Sequence, residues 1–515
     1  MKKISNIIFS KIPIILLLIL IQLGLLLSAI LYFTNNFVYF YLFSIILSIV
    51  ALFSVLNSDY NPSYKLAWVI PIMLFPIFGG LFYLLFGGKK TSKKIHNNLN
   101  NAIQNIQLLL PKNKIILNEI KSNDPSVYRQ AKYINDSSLF PVYKNTTTKY
   151  LPIGETMFEH MKEELRKAKK YIFMEYFIIE EGKMWGELFE ILKEKASQGL
   201  DVRVMYDAAG CLLTLPPNFP EKLKKAGIKV VVFNPFKPFL SIIMNNRDHR
   251  KITVIDGVTS FTGGINLADE YINETKRYGH WKDTGIMLKG DASWSFTVMF
   301  LQSWNFILDI NEDINKYLPK LNSNVDLKEL SSQDGFVQPF GDSPLDDDIV
   351  GETVYINMIN KAKDYIYITT PYLIIDNELM TALVSAAKSG VDVKIITPAV
   401  SDSKIVHLTT RSYYLPLISA GVNIYEYTPG FIHCKTFVSD DEVAVVGTIN
   451  LDFRSLYLHF ECGTWLYKCN AVTEMKDDYF KILEHCKKYT IDDYNRKPAL
   501  EKYLSKIIRV FTPLM

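Results

Sequence analysis

Two histidine–lysine pairs are the residues of this chain best suited to chemistry. The first opens the segment HRKITVIDGVTSFTGGIN at His249, and the second opens HCKTFVSDDEVAVVGTIN at His433. Both segments have the pattern H-x-K-x4-D, followed seven residues later by a glycine and three residues after that by an asparagine. A single H-x-K is common on surface strands. Two complete copies argue against an ordinary surface strand.

The residue types in this pattern suit an anionic phosphate group. In an extended strand, residues i and i+2 point the same way, so each lysine shares a face with its histidine. Lysine supplies a compact positive charge, and imidazole acts as a nucleophile or as an acid and base near neutral pH. The aspartate can bind the ring N–H. The glycine allows close backbone approach, and the asparagine amide can donate to phosphate oxygens. The candidate catalytic residues are His249, Lys251, Asp256, His433, Lys435 and Asp440, and the candidate substrate-binding residues are Gly264, Asn266, Thr448 and Asn450.

The elements that carry these motifs repeat along the chain. A strand-like run, a helical run and a second strand-like run follow one another between residues 171 and 206, which favours α/β architecture. The same order returns after Lys361, in KAKDYIYITTPYLIIDNELMTALVSAAKSGVDVKIITP, which parallels the segment that begins at Lys167. Self-similarity at one long period predicts two homologous α/β half-domains, at 150–330 and 331–515.

The first ninety residues are strongly apolar. Residues 12–33 and 37–56 each form an apolar run of about 20 residues, long enough to cross a hydrocarbon core about 30 Å thick. A third run, 66–87, is interrupted by prolines and glycines, which predicts an interfacial or re-entrant element or a third span. A signal peptide is disfavoured because the first apolar run is too long and a second follows at once. We therefore predict a membrane anchor at 1–94 and a linker at 95–149.

Basic residues flank the apolar region on both sides. Lys2, Lys3 and Lys11 precede the first run, and the cluster Lys89–Lys94 follows the third. The positive-inside tendency places both clusters in the cytoplasm, which requires an even number of crossings. The sequence thus predicts a multi-pass protein of the cell membrane with its catalytic part on the cytoplasmic face.

Charge and cysteine content exclude other classes of partner and site. The formal net charge of +4 gives no reason to expect nucleic acid, although a mild positive balance suits anionic lipid. Five scattered cysteines without C-x-x-C spacing predict reduced thiols and no structural zinc site.

The two motifs resemble the HKD signatures of the phospholipase D superfamily. The surrounding segments HRKITVIDGVTSFTGGINLADEY, WKDTG and GTINLDFRSLYLHFE are similar to those of bacterial cardiolipin synthases. So are the apolar stretch YKLAWVIPIMLFPIFGGLFYLLFG and the ending FTPLM. The resemblance covers nearly the whole chain. Thr448 departs from the serine of many members but retains the hydroxyl.

This resemblance implies a duplicated phospholipase D-like α/β fold in which two half-domains form one active site, preceded by an α-helical membrane segment. One histidine would attack the phosphorus of phosphatidylglycerol, and the other would protonate the departing glycerol. A second phosphatidylglycerol would then take the phosphatidyl group to give cardiolipin. Lysines and asparagines of the motifs would stabilise phosphoryl charge, with no metal or cofactor. His249 is favoured as the nucleophile and His433 as the acid and base, but the sequence leaves these roles open.

Three other functions stay open at this point. A phospholipase D-type hydrolase, or a transferase with another acceptor alcohol or donor lipid, would use the same chemistry, because acceptor choice depends on pocket shape and water exclusion. A nuclease is disfavoured by the apolar segment and the weak charge. An inactive lipid-binding protein is disfavoured because both motifs are intact. The oligomeric state is not predicted.

Several further residues have two interpretations. Glu175, Asp283 and Glu461 could support the site or form structural charge pairs. His280 and His459 are more typical of packing or surface positions. Three tryptophans lie near the first motif: Trp281, Trp294 and Trp304. They are more typical of the core than of a platform that binds substrate.

Overall fold

The computed structural model describes most of the chain beyond residue 112. The described residues are 24, 27, 28, 31, 32, 37–58, 60–75, 79, 80, 83, 110, 111, 113–235, 246–319, 335–345 and 348–514. The chain forms two compact units. The smaller comprises Met1–Thr91, Asn234–Asn246 and Val510–Met515, and the larger comprises Ser92–Phe233 and Arg247–Arg509.

The larger unit contains two sheets with the same strand order. In the first half the strands are β1 (Thr146–Leu151), β2 (Tyr171–Tyr176), β3 (Asp201–Asp207), β4 (Lys229–Phe233), β5 (Arg247–Asp248), β6 (Lys251–Ile255), β7 (Thr259–Gly263), β8 (His280–Lys282) and β9 (Gly285–Gly290). In the second half they are β10 (Phe336–Asp342), β11 (Tyr365–Thr369), β12 (Leu373–Ile374), β13 (Asp392–Pro398), β14 (Asn423–Tyr427), β15 (Gly430–Ile432), β16 (Thr436–Ser439), β17 (Val443–Gly447), β18 (Leu451–Asp452), β19 (His459–Tyr467) and β20 (Cys486–Lys488).

The order of the strands establishes the duplication. The first sheet runs β1-β9-β7-β6-β2-β3-β4, and the second runs β10-β19-β17-β16-β11-β13-β14-β20. Strands β2 and β3 pair in parallel, as do β11 and β13, and each parallel pair is joined by a helix. The predicted duplicated α/β fold is therefore confirmed.

Helices cover the sheets and account for the continuous burial of their central strands. Every residue of β2 (YIFMEY) and of β11 (YIYIT) is buried, as expected for strands covered on both faces. The helices of the first half are α5 (Gly154–Lys167), α6 (Lys183–Ser197), α7 (Phe219–Lys225) and α8 (Ser293–Leu308). Those of the second half are α9 (Val350–Lys361), α10 (Asn377–Lys388), α11 (Lys404–Ser412), α12 (Tyr414–Ser419), α13 (Phe453–Tyr457), α14 (Asn470–Leu483), α15 (Ile491–Asn495) and α16 (Ala499–Val510).

The halves exchange short strands beside each motif. β5 of the first half pairs with β19 of the second, and β15 of the second half pairs with β8 of the first. β5 ends at Asp248, directly before His249, and β15 ends at Ile432, directly before His433. The exchange therefore brings His249 against the second half and His433 against the first.

The segment predicted as a linker differs from that expectation. It contains α3 (Lys114–Asn123) and α4 (Pro125–Ser137), and Asp124 caps α4 through the N–H groups of Ser126 and Val127. Apolar residues of both helices are buried in the core of the second half. The helices form because an apolar stripe recurs at helical spacing and can be buried against that sheet.

The smaller unit contains α1 (Phe37–Leu56) and α2 (Pro62–Leu74), which pack around a small cluster of buried residues. That cluster comprises Ala51, Val55, Trp68, Ile72 and Tyr83. Many other apolar side chains of α1 are exposed. No helix within the described part of the chain is both long enough and apolar enough to span a membrane. Most of the predicted first span, 12–33, and all of the basic cluster Lys89–Lys94 lie outside the described residues.

Candidate active site

The His249 ring is held by a carboxylate from the other half. Its backbone N–H donates to the carbonyl of Phe460 at 2.9 Å, because β5 and β19 run side by side. Its Nδ1 lies 2.9 Å from Oε1 of Glu461 and 3.1 Å from Oε2. A ring that donates its Nδ1–H to a carboxylate keeps the Nε2 lone pair free for attack.

His433 has the equivalent arrangement with the halves reversed. Its backbone N–H donates to the carbonyl of Lys282 at 2.7 Å, and its Nδ1 lies 2.6 Å from Oδ2 of Asp283. The register confirms the equivalence, because Gly285 pairs with Gly263 as Gly463 pairs with Gly447. Asp283 and Glu461 each stand two residues before those glycines. The sequence left open whether Asp283 and Glu461 support the site or form structural charge pairs. In the structure both contact the motif histidines.

The two lysines bond within their own motifs and act electrostatically on both histidines. Lys251 Nζ donates to the carbonyl of His249 at 2.6 Å, and Lys435 Nζ donates to the carbonyl of His433 at 2.5 Å. Burial is the main cause that lowers the pKa of both histidines, and the charges of both lysines lower each of them further. Each lysine therefore acts on both rings, which places the motifs at one site.

Burial shifts the pKa of the charged groups around the rings as well. It lowers the pKa of Lys251 to about 7 and that of Lys435 to about 8. It raises the pKa of Glu461 to about 8 and that of Asp283 to about 7, against the opposing charges of the lysines. These groups can exchange protons near neutral pH, as acid–base chemistry requires.

The motif aspartates do not contact the histidines, and the expectation that they bind the ring N–H is wrong. Asp256 accepts hydrogen bonds at 2.7–2.9 Å from the backbone N–H groups of Lys169, Lys170 and Tyr171. Asp440 accepts the equivalent bonds from residues 363–365. Both have positive φ in tight hairpin turns. Asp-Gly is a strong signature of such a turn, so the signal was present at Asp256.

Gly264 and Thr448, predicted to bind substrate, lie against the two carboxylates. A Cβ at Gly264 would lie 2.1 Å from Oδ1 of Asp283, so only glycine leaves room for that carboxylate. Thr448 Oγ1 donates to Oε2 of Glu461. Both residues therefore position a carboxylate that holds a histidine.

The two predicted asparagines differ in their contacts. Asn266 Oδ1 accepts from the N–H of Ile178 at 3.0 Å, and its Nδ2 donates to the Tyr271 hydroxyl at 2.7 Å. The Tyr271 ring lies 5.6 Å from that of His433. Asn450 is buried, and its Oδ1 has no hydrogen-bond partner. Asn266 thus helps to shape the wall beside His433.

The three remaining candidate residues make different contacts. Glu175 pairs with Arg250 at 2.6 Å, which is the structural pairing. His280 bonds the Tyr427 hydroxyl at 2.9 Å. The His459 ring lies 5.7 Å from that of His249, and both its nitrogens are buried without a hydrogen-bond partner. His459 and Glu461 are at i and i+2 of one strand, so strand periodicity could have placed His459 beside the site.

One group of site residues offers metal-ligand atoms. Nitrogen and oxygen atoms of His249, His459 and Glu461 lie within 4.8 Å of one another. The charges of Lys251 and Arg454 act on the His459 ring and disfavour a cation there. The arrangement is better suited to an anionic group.

Comparisons with known proteins place this chain in a family. A family model described as "Cardiolipin synthase, PLD-like domain" matches residues 161–277 and 355–483, and one described as "Phospholipase_D-nuclease N-terminal" matches 46–88. A cardiolipin synthase of Halalkalibacterium halodurans is 34% identical over 95% of this chain and 98% of its own. One of Alkalihalophilus pseudofirmus is 34% identical over 88% of this chain and 90% of its own.

A solved structure resembles the fold. A phosphatidylserine synthase of Haemophilus influenzae superposes with a TM-score of 0.58 at 17% identity, over 76% of this chain and 100% of that one. At that identity the likeness shows the fold alone.

Proposed function

This chain belongs to the bacterial cardiolipin synthases of the phospholipase D superfamily and is a phosphatidyltransferase, and we propose that it joins two phosphatidylglycerol molecules into cardiolipin and glycerol. One observation carries the proposal. Each of the two histidines is hydrogen-bonded to a carboxylate from the opposite half, and the charges of the same two lysines act on both rings. A phosphodiester between such rings can be attacked from one side and release its alcohol on the other.

The first step forms a covalent intermediate. The Nε2 lone pair of His249 attacks the phosphorus, and the bond from phosphorus to the glycerol oxygen breaks. The His433–Asp283 pair enters this step with one proton on Nε2 of His433 and one between Nδ1 and Asp283. The Nε2 proton passes to that oxygen, so glycerol leaves as a neutral alcohol. Glu461 stabilises the positive charge that His249 acquires.

The second step returns the enzyme to its starting state. His433 takes the proton from a terminal hydroxyl of the second phosphatidylglycerol, and the resulting oxygen attacks the phosphorus. The bond from phosphorus to His249 breaks, which gives cardiolipin and a neutral ring. Lys251 and Lys435 stabilise charge on the phosphoryl oxygens in both steps, so the scheme uses no metal or cofactor.

A product assay tests the function. Purified full-length protein is incubated with phosphatidylglycerol labelled in its headgroup glycerol and, separately, in its phosphate, with excess chelator present. We expect cardiolipin and free glycerol in equal amounts. Phosphatidic acid as the sole lipid product would replace the proposal with hydrolysis. Ethanolamine-containing or other alcohol donors, tested in parallel, define the range of lipids.

The smaller unit is proposed to anchor the enzyme in the cell membrane. The exposed apolar side chains of α1 and the family match over 46–88 support this. The substrates are insoluble lipids, so an anchored enzyme meets them in the bilayer. A reporter fused after Lys94 should read cytoplasmic in bacterial cells, and an extracytoplasmic signal would overturn the predicted orientation.

A further inference from the structure

The last helix of the larger unit, α16, carries an apolar stripe on its outer side. Five large residues recur at helical spacing and are exposed, Leu500 and Ile507 by 70% and 58%. The stripe comprises Leu500, Tyr503, Leu504, Ile507 and Val510. A helix on a soluble surface normally turns such a stripe toward the core. Here it faces away from the protein.

The inner side of α16 is mainly polar, with Ile508 half-buried beside the polar residues. Ser505 is buried, and its hydroxyl donates to the carbonyl of Lys502 at 3.0 Å. The guanidinium of Arg509 lies 4.1 Å from the Tyr413 ring, and the ammonium of Lys502 lies 5.2 Å from the Tyr494 ring. Polar and cationic contacts therefore hold the helix to the protein. Each of the five apolar side chains of the stripe is exposed.

The charges around the stripe favour an anionic partner. Arg496, Lys497, Lys502, Lys506 and Arg509 lie in or beside the helix, which has one acidic residue, Glu501. Lys497 pairs with Glu501 at 2.9 Å, and Lys502 and Arg509 make the inner contacts described above. The exposed charges beside the stripe are therefore Arg496 and Lys506. Basic residues flanking an exposed apolar stripe are the composition of helices that lie in the interface of anionic bilayers.

The course of the chain points to the same partner. Directly after α16 the chain enters the smaller unit, in which Thr512–Leu514 contacts α2. The neighbouring helix of that unit, α1, exposes many apolar side chains. The helix is thus tethered to the region that matches the N-terminal family model.

We propose that α16 lies in the headgroup interface of an anionic phospholipid bilayer, with its five apolar side chains inserted and Arg496 and Lys506 at the phosphates. The helix would be a second membrane contact in addition to the N-terminal anchor. It is independent of which lipid the active site transfers. A second copy of this chain, or another protein, is the alternative occupant of the stripe.

Spin-label accessibility in the full-length protein tests this proposal. Single labels are placed through Ile507→Cys and Leu504→Cys on the stripe, Lys506→Cys on its flank, and Lys193→Cys on an exposed face of α6. The protein is reconstituted in vesicles of phosphatidylglycerol and phosphatidylcholine. Four of the five native cysteines are buried, and the unsubstituted chain measures their background labelling.

We expect the labels at 504 and 507 to be exposed to oxygen and shielded from a water-soluble nickel chelate, at a depth of about 5–10 Å. The label at 506 should lie at headgroup level, and the label at 193 should stay in water. Labels at 504 and 507 that read as aqueous would overturn the proposal. So would dipolar broadening between labels of two copies, which would assign the stripe to self-association. These outcomes require no catalytic turnover, so they are independent of the product assay.

Discussion

The two half-sites hold their histidines by the same bond but with different residues. His249 is held by Glu461, whose carboxylate is in turn bonded by Thr448. His433 is held by the shorter Asp283, and Gly264 provides the space that the carboxylate occupies. A longer acid with a hydroxyl and a shorter acid with a glycine are two solutions to one requirement. The duplication has kept the ring-to-carboxylate bond and let the supporting residues diverge.

The neighbouring rings differ more than the bonds do. His459 lies beside His249, and Trp281, at the equivalent register position, lies 5.8 Å from His433. One half-site therefore has a second imidazole and the other has an apolar indole face. This asymmetry supports the proposal that the two histidines have different roles in the reaction.

The strongest test of the comparison removes each histidine. His249→Ala and His433→Ala should each reduce transfer at least about 10³-fold, because each removes one of two proton or bond-making groups. A donor with a nitrophenol headgroup needs no acid to leave. With this donor, His433→Ala should still form the covalent lipid–enzyme adduct, and His249→Ala should not. The adduct is measured after a denaturing quench at alkaline pH, because acid cleaves the phosphorus–nitrogen bond.

The matched control is His280→Ala, which removes a histidine bonded to Tyr427 and should leave transfer unchanged. Adduct formation by His249→Ala and none by His433→Ala would exchange the two roles. Full transfer by either variant would end the two-histidine scheme.

The exchange of carboxylates between the halves gives the next largest effect. Glu461→Gln and Asp283→Asn should each lower kcat about 10²–10⁴-fold, because an amide cannot stabilise the cationic ring. Single-turnover kinetics should assign Glu461→Gln to the step at His249 and Asp283→Asn to the step at His433. Rates within a few-fold of the unsubstituted enzyme would show that these bonds only fix packing.

The supporting residues should respond differently to small changes. Gly264→Ala should reduce kcat by about 10²-fold, because the added Cβ displaces Asp283 and moves the His433 ring. Thr448→Ser keeps the hydroxyl that bonds Glu461 and should remain close to the unsubstituted rate. Steady-state kinetics of both variants measures the difference. Equal losses of kcat in the two variants would mean that kcat depends on the backbone geometry at these positions and not on the placement of the carboxylates.

The lysines predict an alkaline loss of activity. The charged lysines bind phosphate, and burial lowers their pKa to about 7 for Lys251 and about 8 for Lys435. Their charge is present below these values and is lost as the pH rises through them, so kcat/KM should fall between about pH 7 and 8. A bound phosphodiester anion favours the ammonium form, so the fall in kcat should come at higher pH. A kcat/KM that stays constant to pH 9 would contradict this.

The smallest catalytic effect is expected at the motif aspartates. Asp256→Asn and Asp440→Asn weaken three backbone hydrogen bonds each and should lower the free energy of unfolding by about 1–3 kcal/mol. The kcat of the folded protein should not change, because neither carboxylate contacts a motif histidine. Thermal unfolding and kcat measured on the same samples separate the two quantities. A large fall in kcat without loss of stability would return these residues to the chemistry.

Local sequence patterns predicted much of the fold. Strand and helix periodicity with a long repeat indicated two α/β halves, and H-x-K spacing located the groups of the site. Each aspartate occupies the same position in its copy of the motif, which predicts a contact with the histidine ring. The local sequence Asp256-Gly257, however, is typical of a hairpin turn, and a turn is where Asp256 lies. Within the predicted linker, 95–149, the helices at 114–123 and 125–137 bury an apolar stripe against a sheet that is distant in sequence, so local pattern does not show where they pack.

The sequence by itself located the two histidine–lysine pairs and showed that the pattern occurs twice, because side-chain type and period are local properties. The tertiary structure decided which carboxylate serves which histidine. Glu461 and Asp283 reach rings of the opposite half only because β5 and β15 each leave their own sheet to pair across the molecule. Such pairing depends on how two folded sheets pack together, and no spacing along the chain encodes it.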